Sequence, residues 1–563
     1  MRCLLLTVFF LITLISNSQN SGEYPLEIPI YLSGTFGELR PNHFHAGIDI
    51  KTQGKEGVKV YSIGGGYISR IQISEGGYGK ALYIKHDNGQ SSVYAHLQKF
   101  SPRIEKIVKD IQYKKETYTL RVYPSSNEIR IKNNELIGLS GNTGRSFGPH
   151  LHYELRDEKD RPINPLKYKN RPVKDTISPV LLGLYYKEFT DKNILEEGAF
   201  KKIKTKKINQ NLFVSDTLFL NGHVGFGVNS YDRMNNTWNK MGLTNIMTSV
   251  NGKKNFEMNL NSFSYNEWRH INTFIDYSRY KNESIRIQKL YIEKFNPLEM
   301  YDRSIGDGVI KVDKNKDELL YSIKLLDYNQ NTTEVLVPIK WRQKNKFKEI
   351  EIINKDVYKI HNDSIYDLNF SNISVNIEKN TFYKDMNIQV FEENNSLFID
   401  KDTIPLLRPI TIKFNVNRYN NSLEKQLYIA KIEEKNNTAF VSNNIKEKNI
   451  TAKINNLGTY SVKIDSIPPE ISLMDIKNNQ WISNRKKMKI KIRDSDSGIK
   501  SYRGTINDNW ILLEYNPLKG ILTYNFNDKV NIDKKENKLI VKIKDNVGNE
   551  TVLNKVFFRE IIK

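Results

Sequence analysis

The chain has 563 residues, 38% hydrophobic and 27% charged, a balance that excludes a disordered polymer. At roughly 100–200 residues per domain it is also too long for one compact unit, and about three to five domains are expected. Lys and Arg outnumber Asp and Glu by 86 to 64. The basic residues are dispersed, so they read as a solvated surface and not as a nucleic-acid patch.

Met1 to Ser18 has the pattern of a secretory signal peptide. Arg2 supplies a positive start, Leu4–Ile15 is apolar but for Thr7 and Thr13, and Ser16 and Ser18 give small residues at cleavage spacing. The run is shorter than the about 20 residues a bilayer span needs, and no later segment approaches that length. The mature chain is therefore expected to be exported without a transmembrane anchor: periplasmic in the first instance, with secretion or the cell surface as alternatives. The single cysteine, Cys3, lies in the signal. Thiol catalysis, disulfides and thiolate metal sites are thus excluded from the mature chain, and any metal must be held by His and carboxylate.

Period-two runs at Val58–Ile63, Tyr67–Ile73, Ala81–Lys85 and Ser91–Ala95 predict strands. They are separated by Gly64-Gly65-Gly66, Gly76-Gly77 and Asp87-Asn88-Gly89. The triple glycine lacks the Gly-Lys-Ser/Thr ending of a phosphate loop. Pro102–Ile111 is the fair helix candidate of this region. Pro172–Pro179 reads as a linker, and its Asp175-Thr176-Ile177-Ser178-Pro179 returns as Asp465-Ser466-Ile467-Pro468-Pro469. A second recurrence, Asp-x-x-x-Asn, occurs at Asp232…Asn236, Asp327…Asn331 and Asp545…Asn549. The last two follow strand-like runs at Leu319–Leu326 and Lys538–Lys544, and Thr551–Phe558 returns as strand, which indicates hairpin turns. Calcium is set aside as their role, because no multi-carboxylate cluster accompanies them in the sequence.

The expected division is a signal at 1–18, a histidine-rich domain at 19–172, an immunoglobulin-like β domain at 173–341, a β-rich domain of uncertain class at 342–464, and a second immunoglobulin-like β domain at 465–563. Six of the nine histidines lie between His43 and His152, which places the chemistry in the first of these domains.

Three short patterns carry that chemistry. His45-Ala46-Gly47-Ile48-Asp49 puts an imidazole and a carboxylate four apart, with Gly47 allowing a bend and a close backbone approach. Gly148-Pro149-His150-Leu151-His152-Tyr153-Glu154 puts two imidazoles at i and i+2, on one face of a strand. Tyr94-Ala95-His96-Leu97 ends a strand on a histidine. Two imidazoles and a carboxylate with an open fourth position suit catalytic zinc, which brings the pKa of bound water to about 7. Two histidines left over can move protons or stabilise a tetrahedral oxyanion.

These motifs resemble the lysostaphin-like, or LytM-type, zinc metallopeptidases. That family's pattern is H-x-G-x-D, a strand-end His, then G-x-T-G-x-S-x-G-x-H-L-H-x-E. It is matched in order by His45–Asp49, His96 and Gly141–Leu155, and the resemblance covers about Phe44 to Pro165. It implies that His45, Asp49 and His152 ligate zinc, that His150 is the catalytic histidine, and that His96 assists it. It further implies an antiparallel β-sheet with a narrow groove; with the strand-like runs beyond residue 173, the whole chain is expected to be mainly β, with sandwich-like modules after the peptidase. The implied activity is hydrolysis of peptide bonds in peptidoglycan stems or cross-links. The Pro102–Ile129 segment is longer than usual and is expected to line the groove. Asn134 replaces a common turn glycine. His43 is assigned a surface or supporting role and His86 a structural one, while Glu154 is placed to orient a ligand. Two alternatives stand beside this reading: a non-catalytic peptidoglycan-binding or hydrolase-activating protein, and a surface adhesion or structural protein whose β-modules, contacting wall or protein, carry the main role.

Overall fold

The computed structural model describes residues 24–168, 173–189, 199–293, 295–314, 318–343, 356–434, 437–530, 532 and 535–560. The expected signal segment and Cys3 lie outside these residues. No helix among the described residues is long and apolar enough to cross a membrane. The chain is mainly β, with 48% of residues in strands against 8% in helices.

The N-terminal sheet is built from β1 (Leu32–Gly34), β2 (Ile48–Lys51), β3 (Gly66–Ile73), β4 (Lys80–His86), β5 (Ser91–Ala95), β6 (Leu120–Val122) and β7 (His150–Arg156). Their spatial order is β1-β2-β7-β5-β4-β3-β6, every neighbour antiparallel. The period-two reading gives β5 its observed bounds and places β3 and β4 to within a residue. A register shift between Ile68 and Arg70 lets Ile68 and Ile71, three apart, both reach the core. That core also holds Ile48, Ile50, Leu82, Ile84, Tyr94, Leu151 and Tyr153.

The helix α1 runs from Pro102 to Lys115, four residues beyond the sequence expectation, and ends on Glu116 in left-handed backbone. Ile104, Val108 and Gln112 form its buried stripe at i, i+4 and i+8. Its outer face makes contacts with the end of the chain. Tyr113 meets Trp510 edge-on at 5.0 Å, Lys109 pairs with Asp528 at 2.8 Å, and Lys529 pairs with Asp110. Helix α1 within this segment thus docks against the C-terminal sheets.

Beyond residue 173 the strands form three pairs of sheets, each pair sharing one apolar cluster. The first cluster contains Leu184, Phe226, Phe256, Ile323 and Val335, and also Phe36, Phe44 and Ala46 from the N-terminal region. Conversely, Met234, Met241, Trp510 and Leu512 are buried in the core of the N-terminal sheet. Packing thus crosses the junction at 173 in both directions.

Candidate metal centre and active site

The central strand β7 brings the three sequence patterns together. It lies between β2 and β5, and His152 is paired with Asp49 on one side and Ala95 on the other. Alternation along β7 sends His150, His152 and Glu154 to one face while Leu151 and Tyr153 enter the core. Gly47 serves by close approach: a Cβ there would lie 2.2 Å from the Tyr153 carbonyl oxygen, and its φ is not positive. His96 follows β5 with φ 58°, in left-handed backbone, and its N–H donates to the Tyr78 carbonyl at 3.0 Å. Non-glycine residues in that conformation are uncommon and cluster at functional sites. Gly144 of the long motif packs backbone to backbone on Gly79, where a Cβ would meet the Gly79 nitrogen at 2.3 Å.

His45 Nε2, His152 Nδ1 and Asp49 Oδ1 converge, at 3.0, 2.9 and 3.1 Å from one another. The far side of each ring decides what these atoms present. His45 Nδ1 faces the Thr35 carbonyl at 2.8 Å; a carbonyl only accepts, so the proton sits on Nδ1 and Nε2 is bare in the neutral ring. His152 Nε2 faces Glu154 Oε1 at 3.0 Å, which places its proton there and leaves Nδ1 bare. Two bare nitrogens and a carboxylate oxygen thus share one point, a mutually repulsive set that a cation resolves. Nitrogen and oxygen donors without sulfur suit zinc.

Without a metal, a proton occupies the point instead. Burial alone lowers the His152 imidazole, but hydrogen bonds to Asp49 and Glu154 outweigh it and push its pKa up to about 9. Burial would raise the Asp49 carboxyl; His45, His150 and His152 together hold it well below the usual carboxylate range. Its second oxygen, Oδ2, accepts from Arg40 Nη2 at 2.9 Å, leaving Oδ1 to the centre. Gly34 makes room for that pair, since a Cβ there would lie 2.5 Å from Arg40 Nη2. Glu154 is fully buried yet ionised: Arg156 at 2.7 Å, His152 and Tyr78 overcome the burial that opposes ionisation. Tyr265, from beyond the junction, also donates to Glu154 Oε2 at 2.9 Å.

His150 and His96 stand beside this point with their ring centroids 4.8 Å apart. His150 Nδ1 faces the Gly148 carbonyl at 2.8 Å and Nε2 lies 3.5 Å from Asp49 Oδ1. His96 Nδ1 donates to the Thr143 carbonyl at 2.8 Å. Burial, with His150 and His152 adding to it, brings the His96 pKa down to about 3, so the ring is neutral and its Nε2 is a proton acceptor. The residues expected from the motifs are therefore assembled at one place. His43 sits at the rim, with Nδ1 on the Pro41 carbonyl and its ring 5.3 Å from that of Trp268. His86 bridges the Gly65 carbonyl and Ser92 Oγ, away from the centre. Arg40, Gly34, Tyr78, Arg156 and Tyr265 were not anticipated; none lies in a local pattern that marks it.

A sheet carrying convergent imidazoles and a carboxylate suits the chemistry of a metallopeptidase. Residues 43–113 match peptidase family M23. Residues 357–465 match the Zu5-like domain, in the region whose class the sequence left open. The chain is 33% identical over 155 residues to the DD-carboxypeptidase/endopeptidase Mpg of Neisseria meningitidis serogroup B, covering 26% of this chain and 30% of that protein. It is 33% identical over 123 residues to the peptidoglycan DD-endopeptidase ShyA of Vibrio cholerae, covering 22% of each. A crystal structure of a zinc-containing peptidase from Vibrio cholerae is similar at 25% identity and a TM-score of 0.19, over 25% of this chain and 38% of that one. The chain thus spans less than a third of the length of these curated relatives.

Proposed function

We propose that this protein is an exported, zinc-dependent endopeptidase acting on the peptides of peptidoglycan, of the kind named for its DD-endopeptidase relatives. The observation that carries the reading is the convergence of two bare imidazole nitrogens and one carboxylate oxygen, each locked from behind by Thr35, Glu154 or Arg40. His45, Asp49 and His152 hold the metal. Zinc supplies Lewis acidity and makes water nucleophilic near neutral pH. His150 and His96 handle protons: each has its Nδ1 on a backbone carbonyl, which leaves Nε2 to the centre, and His150 Nε2, beside Asp49, would take the single proton of the attacking water and pass it to the departing amine, with His96 assisting. Once protonated, the same atoms donate to the developing oxyanion. The residues at 1–18 direct export, and the periplasm is where such a substrate lies. The domain limits in this reading are 19–172 for the peptidase and 173–341, 342–464 and 465–563 for the β modules that seat it.

The test is incubation of the full chain with purified peptidoglycan. Cleaved stem or cross-link peptides are expected, lost with chelator and restored by zinc. Asp49→Ala and His150→Ala are expected to release none. Full cleavage by either variant, or by chelated protein, would overturn the assignment.

A further inference from the structure

The two Asp-x-x-x-Asn turns at Asp327 and Asp545 are wired alike. In each, the first Asp accepts from the Asn backbone N–H at 2.9 Å and from its side-chain amide at 2.7 Å. The same amide reaches the carbonyl of Asp175 at 3.2 Å in one case and of Asp465 at 3.0 Å in the other. Those are the aspartates of the repeated junction sequence, and each accepts from the N–H two residues on, at 3.2 and 3.1 Å. A third carboxylate completes each knot, Asp232 or Asp494, with one oxygen from each residue within 4.8 Å of the others. The multi-carboxylate clusters missing from the linear sequence are thus assembled by the fold, which corrects the ground on which calcium was set aside.

The two knots differ in how their charge is met. In the C-terminal knot the three aspartates accept backbone N–H groups from Ser497, Asp496, Gly498, Val547 and Gly548 besides those above. In the first knot the Asn235 N–H donates to Asp175 Oδ1 at 3.1 Å, but Asp175 Oδ2 and Asp232 Oδ1 are buried without a hydrogen-bond donor. Asp175 is 6% exposed and Asp232 3%. No Lys or Arg among the described residues forms an ion pair with Asp175, Asp232 or Asp327. Three converging carboxylates, two of them with an orphaned buried oxygen, cost several kcal/mol unless a positive charge joins them.

We propose that Asp175, Asp232 and Asp327 bind a hard divalent cation of the calcium class, separate from the catalytic centre. The donors are all oxygen, with no imidazole, which favours calcium over zinc. The site lies on the junction itself. Asn329 beside Asp327 donates to the Val173 carbonyl at 3.1 Å, and Tyr328 donates to the Leu166 carbonyl. Asp232 opens the loop whose Met234 and Met241 enter the peptidase core. Gly242, next in that loop, donates to Thr35 Oγ1 at 3.0 Å, and the Thr35 carbonyl holds His45. A cation here fastens the junction to the loop that braces the catalytic ligand.

The experiment is calcium titration of the zinc-loaded full chain, followed by calorimetry and thermal unfolding. One calcium is expected to bind in the micromolar-to-millimolar range, with the melting temperature rising by several degrees. Asp232→Asn is expected to lose that calcium and its shift, whereas Asp494→Asn keeps both. Terbium luminescence of the wild type, sensitised by neighbouring Tyr231 and quenched by added calcium, gives a readout that no variant's folding can spoil. The proposal is overturned if the wild type shows neither calcium heat nor displaceable terbium signal at millimolar ion. It is equally overturned if Asp232→Asn binds calcium as the wild type does, or if that variant melts higher than wild type irrespective of calcium, the mark of carboxylates that merely share protons.

Discussion

In the proposed centre, metal binding at His45, Asp49 and His152 must displace a proton, and the structure sets how strongly. With His152 pushed up to about 9 in the metal-free chain, its ring carries two protons through the neutral range. The metal needs Nδ1 bare, so one proton leaves for each metal bound. Below pH 9 the apparent zinc affinity should then rise about tenfold per pH unit, or about 30-fold from pH 6.5 to pH 8. The metal-free fold should change in the opposite sense. A raised imidazole stabilises the fold fully below its unfolded pKa of about 6.5, and that contribution is lost as pH climbs through about 9. It is on the order of 3 kcal/mol, shared with Asp49 and Glu154 and not additional to them.

Glu154→Gln separates the causes. The amide oxygen still accepts from His152 Nε2, but the negative charge is gone, so the His152 pKa falls and proton competition weakens. The loss of a charged outer partner also weakens the bare site, typically 10–100-fold. The two effects oppose each other at low pH and only the second remains at high pH, so the affinity gap between wild type and variant widens as pH rises. Chelator competition across this range, with calorimetry in buffers of different ionisation heat, measures both quantities. A pH-independent wild-type affinity with no proton release, or an unaltered slope in Glu154→Gln, would refute the reasoning.

Gly47→Ala should lower stability by about 3 kcal/mol or more, because the new Cβ would lie 2.2 Å from the Tyr153 backbone oxygen and must separate β2 from β7; a wild-type melting curve would contradict the contact. Tyr265→Phe should cost about 1–2 kcal/mol and weaken zinc retention several-fold, since it removes a donor from buried Glu154. Chelator competition checks this, and unchanged retention would detach Tyr265 from the centre. Trp510→Ala should cost about 3–5 kcal/mol by emptying the contact on Tyr113; a denaturant midpoint equal to wild type would mean that the last sheets do not depend on α1.

The parts of the site legible in the sequence are those whose geometry is local. His150 and His152 share a face because a strand alternates, and His45 and Asp49 lie within one short turn of chain into β2. Asn134 was readable for the same reason, and it adopts φ 57° in its turn. Residues that act through tertiary contact left no local mark. Tyr265 reaches Glu154 across 111 residues of chain, and Arg40 meets Asp49 only because Gly34 clears the space. The extra turn of α1 is of this kind too: Gln112 is buried because its side chain donates to the Tyr118 carbonyl at 2.7 Å. In the acidic knots every component was visible as a repeat, but the convergence of Asp175, Asp232 and Asp327 depends on the sheets that carry them.

The proposed ligands of the centre do not all rest on the same foundation. Asp49 and His152 belong to paired strands of one sheet, so their separation is set by the β2–β7 register. His45 belongs to a segment whose apolar residues are buried elsewhere. Phe36 stacks on Phe263 at 5.1 Å, Phe44 lies 5.5 Å from the same ring, and Ala46 joins that cluster. Its imidazole is held by Thr35, which is itself held by Gly242. The distance from His45 Nε2 to the other two donors is therefore a distance between two packed bodies, and metal sites tolerate errors of only about 0.5 Å in such placements. Tyr265 adds a second tie from the same body to the Glu154 that orients His152. The β sheets that follow residue 173 are accordingly part of the geometry of the proposed centre, and any force or ligand that shifts them acts on His45 and on the Glu154 contact directly.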